Sequence, residues 1–170
     1  QARLPVIDGA VLPDIEQDVL KLAVVERHGK NGNIGIAFVR GFGLNRGALA
    51  SSVAHDHHNI IVAGTNDVDM AACIRAIEEM QGGLAIADGG VILGRLPLPV
   101  GGLLSEAPVN DVITQLEYIT ATAHDLGCTL PAPFMTISFI SLPTVPELGL
   151  TDMGLVNVRD HALMSVFVDS

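Results

Sequence analysis

The chain has 170 residues, 49% of them apolar and only 16% charged, which excludes disorder and points to one domain with one substantial core. A formal charge of −10 with no Lys/Arg run excludes a nucleic-acid groove, because such grooves depend on clustered positive charge. No apolar run approaches the roughly 20 residues that span a bilayer, and the two cysteines, Cys73 and Cys128, form no CxxC pattern, so a reducing cytoplasm and no membrane partner are expected.

The opening "LPVIDGAVLPDIEQDVLK" has mixed polarity and two prolines. It reads as a linker or entry segment over residues 1–20, arriving from an upstream domain, with the folded domain over 21–170. A start at Gln1 rather than Met is what an excised or processed piece of a longer polypeptide would show. "KLAVVERHG" and "IGIAFVRGFG" are Val/Ile-rich runs on either side of the turn-forming "GKNGN", and predict a hairpin. "GALASSVAHDHHNIIVAGT" reads as a third extended region.

Asn66 then precedes "DVDMAACIRAIEEM", with Asp67 and Asp69 in the first turn, where carboxylates suit the positive end of the helix dipole. A first helix follows, closed by Gly82-Gly83 as left-handed cap. Asp88-Gly89-Gly90 between two apolar runs predicts a second hairpin. Ser105 opens a second helix in which Val109, Val112, Leu116, Ile119, Ala123 and Leu126 recur at helical spacing up to Gly127. "PFMTISFISLP" reads as a buried strand, "TVPELGLTDMG" as a long loop and "HALMSVFV" as a last strand. The sum is an α+β fold: a mostly antiparallel sheet of about six to eight strands with at least two helices packed on one face.

The densest polar stretch is His55-Asp56-His57-His58-Asn59. If extended, it puts His55 and His57 on one face and Asp56 and His58 on the other, so a two-imidazole metal pair is one reading. A catalytic metal site wants three or more protein ligands, and His28, His124 and His161 carry no spacing that nominates them. Ser51 and Ser52 lack a nucleophile elbow, and Asp56 would either orient a histidine for proton transfer or merely neutralise it. Gly41-x-Gly43 and Gly47 do not match a phosphate-binding spacing, so turn duty is expected, with Arg40 and Arg46 flanking the loop as solvated groups or as partners for a neighbouring domain. Three functions stay open on the residues alone: part of an enzyme, a noncatalytic docking or oligomerisation module, and a small independent metalloprotein using His55 and His57.

"RGFGLNRGALASSVAHDHHNIIVAGTND", "LPLPVGGLLSE" and "PFMTISFISLPTVPELGLTDMGLV", in this order, resemble the C-terminal domain of bacterial adenine deaminases of the amidohydrolase superfamily. The resemblance runs from about residue 20 to 160. It implies a whole enzyme that hydrolyses adenine to hypoxanthine and ammonia with a metal-activated water. The binuclear metal, manganese or iron, would be held in an upstream (β/α)8 barrel, and the assembly is expected to be a homo-oligomer. A barrel takes about 250 residues with a helix after every strand, so this chain is not the barrel. The family segment more often has Ser where His57 stands, which makes His57 a poor obligatory ligand. The expectations are therefore no catalytic residue and no metal in this chain, with His55, Asp56, His58 and Asn59 as positions that shape the adenine pocket or line a domain seam, and His57, Arg40 and Arg46 as weaker candidates.

Overall fold

A computed structural model describes residues 2–145 and 147–168 of the chain. The hairpin β1 (Val6–Ile7) with β2 (Ala10–Val11) comes first. Strands β3 (Val19–Val25), β4 (Ile34–Arg40), β5 (Ala48–Ser51), β6 (Ile60–Gly64), β7 (Gly83–Asp88) and β8 (Val91–Pro97) then form one sheet in the order β4-β3-β6-β5-β7-β8, every pairing antiparallel. A three-stranded sheet of β9 (Leu148–Thr151), β10 (Gly154–Asn157) and β11 (Ala162–Met164) follows, and the helices are α1 (Asp67–Glu79), α2 (Val109–Asp125) and α3 (Pro133–Ile140). The fold is α+β, as the sequence predicts.

Alternation along the strands builds two cores instead of one. Leu20, Leu22, Val24, Leu49, Ile61, Ala63, Leu84 and Ile86 point to one face, where Ile119 and Ala123 of α2, Phe134 and Ile137 of α3 and Leu150 of β9 meet them. Ala23, Ala48, Ala50, Val62, Ala85 and Ala87 point to the other, a floor of small side chains on which α1 lays Met70, Cys73, Ala76 and Ile77. The helices thus cover both faces, where the sequence reading put them on one. Strands such as β6, buried at every position, carry no polar alternation to betray which residues belong to which face.

Local chemistry places α1. The Asn66 side chain accepts from the Asp69 backbone N–H at 2.9 Å, the expected N-cap, worth about 1 kcal/mol. Asp69 is itself buried: its carboxylate accepts from Asn66 Nδ2 and from the Gly90 N–H, both at 2.6 Å, so the cap also fixes the Asp88-Gly89-Gly90 turn. At the other end Gln81 takes the left-handed position, ahead of Gly82 and Gly83.

Five further expectations are corrected. Residues 133–140 are helix α3: Pro133 sits in its first turn, and Phe134, Ile137 and Ser138 are buried at 3-4 spacing. An eight-residue apolar run cannot be told from a strand by hydrophobicity, and the buried partner sheet decided it. Helix α2 starts at Val109 behind Pro108, while Ser105 Oγ instead accepts from Ala107 N at 3.1 Å in a separate turn. The expected loop at 144–154 contains β9 and the turn into β10, and the last strand shrinks to Ala162–Met164. Finally, the third extended region is two strands, β5 and β6, with the His-rich stretch in the loop between them.

Candidate functional site

Loop 52–59 begins where Ser52, fully buried, ties three elements together. Its Oγ accepts from the Gly83 N–H at 2.8 Å and donates to the Gly102 carbonyl at 2.6 Å. The chain then turns back on itself, with His58 N–H donating to the Ala54 carbonyl at 2.7 Å, the His55–Asp56 peptide cis, and His58 at φ 49°. The alternating faces assumed for an extended segment do not exist here. Asp56 is exposed, His55, His57 and His58 are half-buried, and Asn59 is buried.

The C-terminal end of α3 holds the loop: His55 N–H donates to the Ser138 carbonyl at 3.0 Å and Ser141 Oγ donates to the His55 carbonyl at 3.3 Å. Both nitrogens of His57 are engaged. Its Nδ1 accepts from the Asn59 N–H at 3.1 Å, which requires that nitrogen to be bare, so the proton sits on Nε2 and points at the Ser141 carbonyl at 3.3 Å. Asn59 donates through Nδ2 to Asp152 at 3.1 Å. The His55 ring lies 6.0 Å from that of His58 and 4.8 Å from that of Phe139.

Two residues missed in the sequence complete the site. Arg27 donates through Nε to the His58 carbonyl at 2.5 Å and through Nη2 to the Gly101 carbonyl at 2.7 Å, clipping the loop to the 99–103 turn. His28 Nε2 lies 2.8 Å from the His57 carbonyl and donates to it. In the sequence both look like solvated residues of a polar hairpin turn, and only the β3-to-β6 register, Val25 opposite Ile60, brings them to the loop. Arg40 and Arg46 stay away. Arg40 pairs with Val19 at the far end of β3, six residues or about 20 Å from Val25, and its Nε donates to the Gln17 carbonyl. Arg46 precedes β5 at that same end and binds Asp88 at 2.8 Å within this domain.

Among the described residues no three His, Cys, Asp or Glu side chains converge as a metal would require. The His55-x-His57 pair fails on its own chemistry, since His57 spends both ring nitrogens on backbone partners. The binuclear metal of the resemblance does not fit these residues. Among the described residues, His58 Nδ1 is a buried side-chain nitrogen without a hydrogen-bond partner.

Burial lowers the pKa of His57, with the bond to Ser141 and the charge of Asp152 opposing it. Burial also lowers that of His58, helped by the neighbouring His55 and Arg27 and opposed by Asp56. A base whose folded pKa lies under its unfolded value binds fewer protons folded than unfolded. Stability from these two rings is therefore complete above the ordinary value of about 6.5 and is lost as pH falls below it. The thermal midpoint of the chain is expected to drop between pH 7 and 5.5, and His57→Asn, which keeps an acceptor near the Nδ1 position but does not titrate, should flatten that slope. Equal slopes in both proteins would refute the assignment. Asp14, held low by the Gln17 side chain, and Glu26, whose burial is outweighed by the backbone N–H groups of Gly32, His28, Asn31 and Lys30, titrate beneath this window.

Fold and site define an α+β domain with a polar loop pinned by backbone hydrogen bonds. The chain belongs to the adenine deaminase C-terminal domain family, whose model matches residues 1–162. It is 55% identical over all 170 residues to an adenine deaminase of Desulforamulus reducens, of which it covers 29%. It is 51% identical over 162 residues, 95% of the chain, to one of Dehalococcoides mccartyi, of which the match covers 28%. Against one of Methanococcoides burtonii it is 48% identical over 157 residues, 92% of the chain and 27% of that protein. The chain thus spans under a third of the length of the curated relatives it matches. No helix among the described residues is long and apolar enough to cross a membrane.

Proposed function

We propose that this chain is the C-terminal domain of an adenine deaminase that hydrolyses adenine to hypoxanthine and ammonia. The observation that carries the reading is the match to relatives of that name along essentially the whole chain, at about half identity. The metal-activated water, and the manganese or iron ligands around it, belong on this reading to an upstream (β/α)8 barrel, and this domain is inactive by itself.

On the same reading the 55–59 loop faces the barrel mouth, where His55, Asp56, His58 and Asn59 help shape the adenine pocket. His58 is the sharpest candidate because its ring is only half-buried and Nδ1 makes no hydrogen bond within this domain, while Arg27 fixes its backbone at the loop. The test uses the full-length parent enzyme. Purified parent should convert adenine to hypoxanthine with release of ammonia, and a parent without that activity would reject the reading. His58→Ala should raise KM for adenine about 5-fold, the worth of one ordinary hydrogen bond, with kcat little changed. Unchanged kcat, KM and stability would remove His58 from the pocket.

A further inference from the structure

The helical face that holds the polar loop also carries an apolar groove left open by this domain. About 600 Å³ lies between α2 and α3, walled by Val53, Leu84, Leu116, Ala121, Phe134 and Met135. The periodic stripe of α2 is only partly used: Ile119 and Ala123 are buried, while Leu116 is 40% exposed and Ile113 and Val109 more so. On α3, Met135 and Phe139, one turn apart, are 58% and 48% exposed. Glu117 and His124 are the titratable groups among the lining residues, and His124 already bonds the Leu130 carbonyl at 2.9 Å. A surface this apolar on a chain of charge −10 is suited to burial against protein.

We propose that the groove seats the upstream part of the parent enzyme's own polypeptide, an inference that rests on the reading above. Three observations favour this occupant. More than two thirds of each relative's length lies outside the matched region, which the family description places at the C-terminal end, so a large upstream body needs a surface to pack on. The first described residues, Ala2 and Leu4, line a cleft with Ile140 at the end of α3, so the chain enters on the α2/α3 side of the sheet. The polar loop is bonded to α3 at Ser138, and His55 lies against Phe139, so groove and loop form one continuous surface. The competing apolar strip, Ile34 and Ile36 on the edge strand β4, faces the α1 side.

Hydroxyl-radical footprinting of the full-length parent decides it, with each side chain's oxidation in the native protein compared with that in urea. Met135, Phe139 and Leu116 should be protected at least 10-fold, and Ile34 and Ile36, similarly exposed in this domain, only about 2-fold, with no change on dilution. Groove residues oxidised as freely as Ile34 and Ile36 would overturn the inference. So would protection that disappears on dilution, which would assign the groove to a second copy. Adenine deamination assayed on the same sample separates the two readings: an active parent with an unprotected groove sinks this inference alone, and an inactive parent sinks the proposed function while the footprint still decides what fills the groove.

Discussion

Replacing Gly102 with valine is expected to destabilise the chain by about 3 kcal/mol and to release the polar loop. Gly102 has φ +78°, a region costly for any residue with a Cβ and worst for a β-branched one, at about 1–2 kcal/mol. Its missing Cβ is also where the Arg27 guanidinium lies. A Cβ there would collide with Nη2 and stand 2.7 Å from Cζ and 3.0 Å from Nη1. The backbone cannot yield easily, because Ser52 Oγ holds the Gly102 carbonyl at 2.6 Å from the buried side. Arg27 must move instead, giving up the His58 and Gly101 carbonyls, and such crowding adds about 1–3 kcal/mol. The urea midpoint should fall at unchanged m-value, and amide exchange should rise first at residues 54–59. Combining the change with Arg27→Ala should cost less than the sum of the two single changes, because the collision is then gone. A loss under 1 kcal/mol, or strict additivity, would show that the guanidinium does not depend on this glycine.

The same residues show how far a sequence reading reaches. Asn66 with Asp69, and Asp88-Gly89-Gly90, act within three or four positions of themselves, so their cap and turn were legible from residue type alone. His55, His57, His58 and Asn59 are neighbours in the chain, and their clustering needed no fold. Their chemistry did: the groups that decide it, Arg27, Ser138, Ser141 and Asp152, lie 31 to 93 positions away and arrive through strand register and the seat of α3. Helix α3 departs from the strand its sequence predicts for a related reason. Its large side chains are apolar on all sides and its two polar residues, Thr136 and Ser138, are small, so periodicity carries little contrast, and the exposed Met135 and Phe139 look no different in sequence from the buried Phe134 and Ile137. Residues 21–25 and 60–64 read correctly as strands, yet which face each side chain serves was settled only by α1 finding the alanine floor.

Ile119→Ala is expected to cost about 3 kcal/mol, while Leu116→Ala, three residues earlier in the same apolar stripe, costs below about 1 kcal/mol in the 170-residue chain. Sequence periodicity treats the two positions alike. The structure separates them. Ile119 is fully buried against β8, and it fits there because residue 94 is glycine: a Cβ at that position would stand 2.8 Å from Ile119 Cγ2. Shortening Ile119 therefore opens a cavity in a place where the sheet has already given up a side chain to make room. Leu116 borders the open groove, so its truncation removes contacts that water already shares. Gly94→Ala should reproduce part of the Ile119→Ala loss by the opposite route, overpacking, and the pair Gly94→Ala with Ile119→Ala should recover some of it, because the new methyl enters the space the old one left. Urea midpoints of the four proteins measure this directly. If Leu116→Ala proved as costly as Ile119→Ala, α2 would be seated one turn away from the position described, and the apolar groove beside it would close.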